Sequence, residues 1–290
     1  MMILQLLIDS ALLGGLYALL ALGLVLSFGV TNILNFAHGE AIMLGAYGAF
    51  WAFTLWGIDP LLSIPIMLVV GFGAGFVCFR YVIERSLDAP HLNQILLTFG
   101  IGLILQNAAV LAWTGDLRSA NPSYSMAAIN LGEVFIPVGR LLTFTVAAAL
   151  AAILYMWLTR TEYGRASRAI AQNERAAKLM GIDTRFVYSL VFAISIAVAA
   201  ATGAALSSIT TITPFIGFHL LVKAFAIMVL GGAGSISGAV LGGVLLGLLE
   251  TTVAYYVPEG SGWAEGVAFV ALFLFLLIRP QGLLGTRVHG

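Results

Sequence analysis

The chain has 290 residues, of which 61% are hydrophobic and only 9% charged, with 13 basic side chains balancing 13 acidic ones; its mean hydropathy is +1.04. A soluble domain carries roughly 25% charged residues and has too little interior to hide this much apolar surface. The composition therefore excludes a soluble enzyme and a disordered scaffold, and zero net charge leaves no basic field for nucleic acid.

What remains is an all-α integral membrane protein, a single transmembrane domain over 1–290. No basic region precedes the first apolar stretch, so that stretch is expected to stay in the mature chain. A helix needs about 20 apolar residues to cross the hydrocarbon core. In chain order, spans are expected at Ile3–Phe28, Phe36–Gly57, Leu61–Tyr81, Leu92–Trp113, Leu141–Leu158, Phe186–Ser207, Pro214–Gly231, Ser237–Val257 and Trp263–Ile278. That makes nine, or eight if the glycine-rich stretch near Gly231–Gly243 does not break the chain. The apolar runs are continuous rather than alternating, which argues against barrel strands. Lone Cys78 excludes an internal disulfide and reads as a small buried hydrophobe.

Lys and Arg set the orientation. With the N-terminus outside, 10 of the 13 fall inside: Arg80, Arg85, Arg160, Arg165, Arg168, Arg175, Lys178, Arg185, Arg279 and Arg287. Arg118, Arg140 and Lys223 fall outside. The 159–185 loop and the C-terminus are thus expected in the cytoplasm. The 114–140 loop is expected outside as a solvated, partly ordered cap, given Asn121-Pro122 and Pro137.

Ionisable groups inside spans are costly and tend to face a bundle interior or a water-filled path. Asp9 reads as a solvated helix start and Lys223 as snorkelling to the outer surface; His219 is a weaker case. Glu250 lies deeper and suits either a structural hydrogen bond or a lining position. Asn35-Phe36-Ala37-His38-Gly39-Glu40 opens the second span at its cytoplasmic end. Asn35 can cap that helix and Glu40 suits its dipole, but capping does not account for His38. Neither G-x-S-x-G nor H-E-x-x-H occurs, and no His or carboxylate pair has metal-ligand spacing. A membrane-embedded enzyme is unsupported.

Glycine clusters in the first three spans, at Gly14, Gly15, Gly23, Gly29, Gly45, Gly48, Gly71, Gly73 and Gly75. It is densest at Gly231, Gly232, Gly234, Gly238, Gly242, Gly243 and Gly247. Small residues let helices approach closely in lipid; the alternative is a broken helix that opens a path, which Gly231–Ser235 favours.

The 159–185 loop is too polar to cross. Its stretch from Gly164 to Gly181 reads as one short helix between two glycines. Ala166, Ala169, Ile170, Asn173, Ala176, Ala177 and Met180 share one face, and Arg165, Arg168, Gln172, Arg175 and Leu179 fall largely on the other. Such a shallow face flanked by Arg suits a protein cleft better than lipid, which favours bulky anchors, although a basic face also suits anionic headgroups.

Ala176-Ala177 followed by Gly181 resembles the A-A-x-x-x-G core of the coupling loop in bacterial ABC-importer permeases. Gly164-Arg165-Ala166, Arg168-Ala169, Asn173 and Gly181-Ile182 extend that resemblance to the branched-chain amino acid permeases. So do the Asn35–Glu40 segment with Met43–Tyr47, Val229–Ser235 with Gly238-Ala239, and Arg279-Pro280-Gln281-Gly282-Leu283. The match runs along essentially the whole chain, and its length suits the shorter, LivH-type subunit. Arg175 departs from the general pattern, which has Glu there; Glu174 stands one residue earlier.

The resemblance implies the membrane subunit of an ATP-driven importer in the bacterial inner membrane, with membrane lipid around it. Its partners would be two ABC ATPase subunits, a second and longer permease, and a periplasmic substrate-binding protein. Gly164, Arg165, Arg168, Asn173, Ala176, Ala177 and Gly181 would couple to the ATPases. Asn35, His38, Glu40, Gly231, Gly232, Gly234, Ser235 and Glu250 are the candidates for the translocation path. No cofactor is expected in this chain: Lys178 and Lys223 are its only lysines and neither follows a Gly, so no phosphate-binding loop exists and ATP with Mg belongs to the partners. Leucine, isoleucine and valine fit a path of Gly, Ala and aliphatics. A urea or short-amide importer stays open, as do an ion-coupled transporter using Glu40 and Glu250 and a purely structural protein.

Overall fold

The computed structural model of the chain describes residues 2–132, 134–279 and 281–284. Helices stand at all nine expected positions: α1 (Met2–Thr31), α2 (His38–Trp56), α3 (Ile64–Tyr81), α4 (His91–Trp113), α5 (Val138–Arg160), α8 (Thr184–Leu206), α9 (Ile216–Gly231), α10 (Ile236–Tyr256) and α11 (Gly260–Ile278). Six of them, α1, α3, α4, α5, α8 and α10, are long and apolar enough to cross a membrane. Two short helices, α6 (Glu162–Gln172) and α7 (Glu174–Leu179), fill the polar loop between α5 and α8.

The expected cap over 114–140 is more ordered than a solvated loop. It contains an antiparallel hairpin, β1 (Ala128–Leu131) with β2 (Val134–Pro137), so the all-α reading needs that one addition. Tyr124 in the same loop donates a 2.8 Å hydrogen bond to Asp59 Oδ1, tying the cap to the α2–α3 turn. Burial, and then the Asp59 carboxylate, pushes the Tyr124 hydroxyl well above its ordinary range, so it remains a donor. The two ends of the bundle are named below for what they carry, the hairpin end and the α6–α7 end.

α1 and α8 form the centre, buried over most of their length, while α3, α4 and α5 expose most of theirs. Glycine sets the spacing of the inner helices. A Cβ on Gly45 of α2 would lie 2.5 Å from Ala200 Cα of α8, and one on Gly203 of α8 would lie 2.5 Å from Ala46 N. Gly71 and Gly75 of α3 likewise press against Ala197 and Ala193 of α8. With no hydrophobic force between helices in lipid, such backbone contact supplies the packing energy.

Between α9 and α10 the glycines both break the helix and pack closely. Gly232 and Gly234 take φ of 100° and 84°, which ends α9, and Ser235 Oγ then caps α10 by accepting from Gly238 N–H at 3.0 Å. The two segments therefore do not merge. The turn also packs on α1, where a Cβ on Gly234 would meet Gly29 Cα at 2.9 Å. After α11 the chain returns to this spot. Leu283 and Leu284 donate their N–H groups to the last carbonyls of α9, Leu230 and Gly231, at 2.8 and 3.0 Å. Pro280 of the C-terminal motif and Arg287 of the charge count lie outside the described residues.

Candidate functional site

The second helix does not begin level with the end of the first, as its sequence suggested, but partway back along it. α1 is 30 residues long, about 45 Å, and the chain after Thr31 turns at Asn32 (φ 54°) and folds back along it outside any helix. Ile33 and Asn35 are buried there. α2 starts where His38 Nε2 donates to Leu20 O at 3.2 Å, a level about 16 Å of helix rise short of Thr31. A re-entrant backbone at this depth must find its hydrogen bonds inside the protein. Thr98 of α4 supplies them: its Oγ1 accepts from Phe36 N–H at 3.2 Å and donates to Leu34 O at 3.1 Å. Asn35 is not the α2 cap that the sequence suggested; its Oδ1 accepts from Ala37 N–H at 3.0 Å, closing a turn one step earlier. Thr98→Val keeps the shape and removes both bonds, so it is expected to cost about 1–3 kcal/mol. A thermal midpoint in detergent equal to that of the unchanged protein would contradict the role given to Thr98.

α9 also starts deep in the bundle. A Cβ on Gly39 would strike the Gly217 carbonyl group, and one on Gly217 would lie 2.5 Å from Glu40 Oε2. The N-termini of α2 and α9 thus meet, α2 running toward the hairpin end and α9 toward the α6–α7 end. Between them is Glu40, only 5% exposed, with Oε2 buried and unpartnered. His38 Nδ1 and Asn35 Nδ2 are also buried without partners. Asn35 further lines a cavity of about 300 Å³ whose other walls are apolar residues of α2, α3, α4 and α8.

The remaining path candidates lie apart from this junction. Gly231, Gly232, Gly234 and Ser235 form the α9–α10 turn described above. Glu250 belongs to an ionic cluster. Lys223 does not snorkel outward: it is 9% exposed, with Nζ 2.8 Å from Tyr17 Oη, 3.4 Å from Glu250 Oε1 and 3.5 Å from Glu265 Oε1. Tyr17 donates to Glu250 Oε2, and His219 Nε2 lies 3.3 Å from Glu265 Oε1. The cluster joins α1, α9, α10 and α11. A lysine this far along α9 reaches its partners sooner than it reaches a surface, which is why it stays inside. Asp9 is satisfied near the hairpin end, accepting from Gln5 Nε2 at 3.1 Å and Tyr255 Oη at 2.6 Å. Tyr17, Thr98, Gly217 and Glu265 escaped the sequence reading. Glu265 alone carried a signal, as an ionisable residue inside an expected span.

The polar loop differs from the single helix expected between Gly164 and Gly181. It breaks at Asn173, whose extended backbone (φ −159°, ψ 100°) separates α6 from α7. Asn173 Oδ1 then caps α7 by accepting from Ala176 N–H at 3.0 Å. This side-chain bond competes with continued helix and wins. Thr161 caps α6 through Gly164 N–H at 3.0 Å, and Asp183 caps α8 through Phe186 N–H at 3.1 Å. Gly164 is inside α6 rather than before it, pressed on α5, where a Cβ would lie 2.6 Å from Leu158 Cα. Gly181 does stop α7, at φ 84°.

The expected small-residue face divides accordingly. Ile170 and Ala177 are buried in the protein's own core together with Gly164, while Ala176 and Met180 are exposed. Leu179 and Met180 are 89% and 83% exposed at the tip. Arg165, Arg168 and Arg175 are exposed around it, and Glu174 pairs with Lys178 at 2.7 Å. The result is a capped projection with an apolar tip and a basic skirt.

Residues 6–278 match the family described as "Branched-chain amino acid transport system / permease component". The chain is 36% identical to the high-affinity branched-chain amino acid transport system permease protein BraD of Pseudomonas aeruginosa, covering 97% of this chain and 95% of that one. It is 33% identical to the corresponding protein LivH of Escherichia coli K12, with the same coverage. A more distant similarity, 25% identity over 96% of this chain and 69% of the relative, links it to the permease protein LivM of the same bacterium.

Proposed function

The chain belongs to the permease-component family of branched-chain amino acid transport systems, and from that premise we propose that it is one membrane half of an ATP-driven importer for leucine, isoleucine and valine. ATP is hydrolysed by two separate ATPase subunits, a periplasmic binding protein delivers the substrate, and a second, longer permease completes the path. The bundle lies in a bacterial inner membrane with the hairpin end and the N-terminus periplasmic. The α6–α7 end and the C-terminus are cytoplasmic, where the excess of Lys and Arg belongs. Nine crossings, counting α2 and α9, which start inside the bundle, fit that orientation.

The observation that carries this reading is the α6–α7 projection. Caps at Thr161, Asn173 and Asp183 hold it rigidly to α5 and α8, while Leu179 and Met180 at its tip find nothing to pack on. A rigid lever with an apolar, Arg-flanked tip suits the cleft of a moving subunit and can pass that motion on as a two-state shift of whole helices. Gly164, Arg165, Arg168, Asn173, Ala176, Ala177 and Gly181 position or present it. Because Ala177 is buried, the informative probe is Ala176. Ala176→Cys carrying a photo-crosslinker is expected to capture an ATPase polypeptide; capture of phospholipid alone would overturn the reading. Gly181→Leu meets no steric obstacle, but its left-handed backbone costs an L residue about 1–2 kcal/mol. That strain is expected to re-aim the tip and reduce leucine uptake about tenfold at equal membrane content. Uptake equal to that of the unchanged protein would count against the lever.

A further inference from the structure

The junction of α2 and α9 has chemistry beyond a path lining. Two helix N-termini point their positive ends at one place, and a carboxylate occupies it. The Glu40 carboxylate fills the space a side chain at position 217 would need. It is buried, Oε2 lacks a hydrogen-bond partner, and among the described residues no ion pair involves it. Beside it, α9 has no side-chain cap. Among the described residues, the N–H groups of Gly217 and Phe218, in the first turn of α9, have no acceptor. Phe215, Phe218 and His219 are exposed, so this helix end opens on the bundle surface.

An unpaired carboxylate calls for a cation with N–H donors, and two free backbone N–H groups call for an anionic oxygen. The two demands are adjacent, because Gly217 presents its Cα to Glu40 and its N–H to the helix end. We propose that this junction is a transient site for a free α-amino acid in transit. The substrate ammonium sits against Glu40, and its carboxylate against the N–H groups of Gly217 and Phe218. The inference rests on the permease reading and names the place in the bundle where its substrate is held. Urea and short amides carry neither charge, a lone metal cation would leave the α9 donors idle, and a lone anion would be repelled by Glu40. A zwitterion satisfies both halves and adds no net charge to the membrane interior. The site recognises only what all α-amino acids share, so discrimination by side chain is left to the delivery step, and weak, general binding lets the substrate leave.

The test uses the complete transporter in proteoliposomes. Glu40→Gln keeps the size and removes the charge; leucine uptake is expected to fall about tenfold or more, and Glu40→Asp to recover part of it. Glu40→Gln taking up leucine at the rate of the unchanged transporter would overturn the proposal. Should Glu40→Gln fail to assemble, the unmodified complex decides. Dicyclohexylcarbodiimide is expected to form an adduct at Glu40, read by mass spectrometry. Leucine should suppress that adduct, and 4-methylpentanoate, which is leucine without its ammonium, should not. No adduct, or equal labelling with both compounds, would overturn the proposal. An unmodified complex that takes up no amino acid at all would instead refute the permease reading itself.

Discussion

Replacing Lys223 with methionine is expected to lower the unfolding free energy by about 3–5 kcal/mol, the cost of leaving a buried charge without its partner. Lys223 Nζ is shared among Tyr17, Glu250 and Glu265, at 2.8, 3.4 and 3.5 Å, and also lies 4.8 Å from the Tyr17 ring centroid. Without the lysine, two carboxylates face each other where α1, α9, α10 and α11 meet. Removing the Glu250 charge as well relieves most of that penalty, so Lys223→Met combined with Glu250→Gln is expected to be more stable than Lys223→Met alone. Thermal unfolding in detergent measures both. A Lys223→Met protein melting with the unchanged one would show that the cluster is solvated and contributes little.

Gly203→Val is expected to be comparably damaging by a steric route. Gly203 and Gly45 interlock α8 and α2 so closely that a Cβ at either would lie 2.5 Å from partner backbone, Ala46 N in one case and Ala200 Cα in the other. Backbone cannot rotate aside as a side chain can. Overpacking of about 1–3 kcal/mol or more follows, as does a displacement of α2. Since α2 carries His38 and Glu40, the same substitution is expected to reduce leucine uptake even in the fraction that still folds. Gly73→Val is the control, because a Cβ there meets nothing within 4 Å. Equal melting temperatures and uptake for the two variants would contradict this account.

The elements legible in the sequence were those that depend on amount of apolar residue. Helices stand at all nine positions where hydropathy placed them, six of them long and apolar enough to cross a membrane, because a run of apolar residues in lipid has to close its own backbone hydrogen bonds. Depth was not legible. The Asn35–Glu40 segment shows a helix start, but not that α1 outruns it and carries it back to the level of Leu20. That depth comes from Thr98, some sixty residues away, satisfying the Leu34 and Phe36 backbone. Partnership was equally hidden. Lys223 alone reads as a snorkelling lysine; only its approach to Tyr17, Glu250 and Glu265 turns it inward. In the polar loop, periodicity runs smoothly through Asn173, and nothing local shows that its side chain prefers to cap the next helix rather than continue the last. Glu40 was picked out as an ionisable group in a span, yet its relation to Gly217 is a contact between distant segments that no spacing reveals.

The return of the chain after α11 ties the C-terminal segment to the end of α9. Leu283 and Leu284 are stitched to the final carbonyls of α9, and α9 carries Gly217 at its other end, about 20 Å of helix rise away. A helix that shifts along its axis to open or close the junction would have to drag that stitch with it or tear it. A spin label or fluorophore at position 284 would then read out events at the buried carboxylate without touching it, and a bulky fusion placed immediately after that residue would act as a brake on the transport cycle.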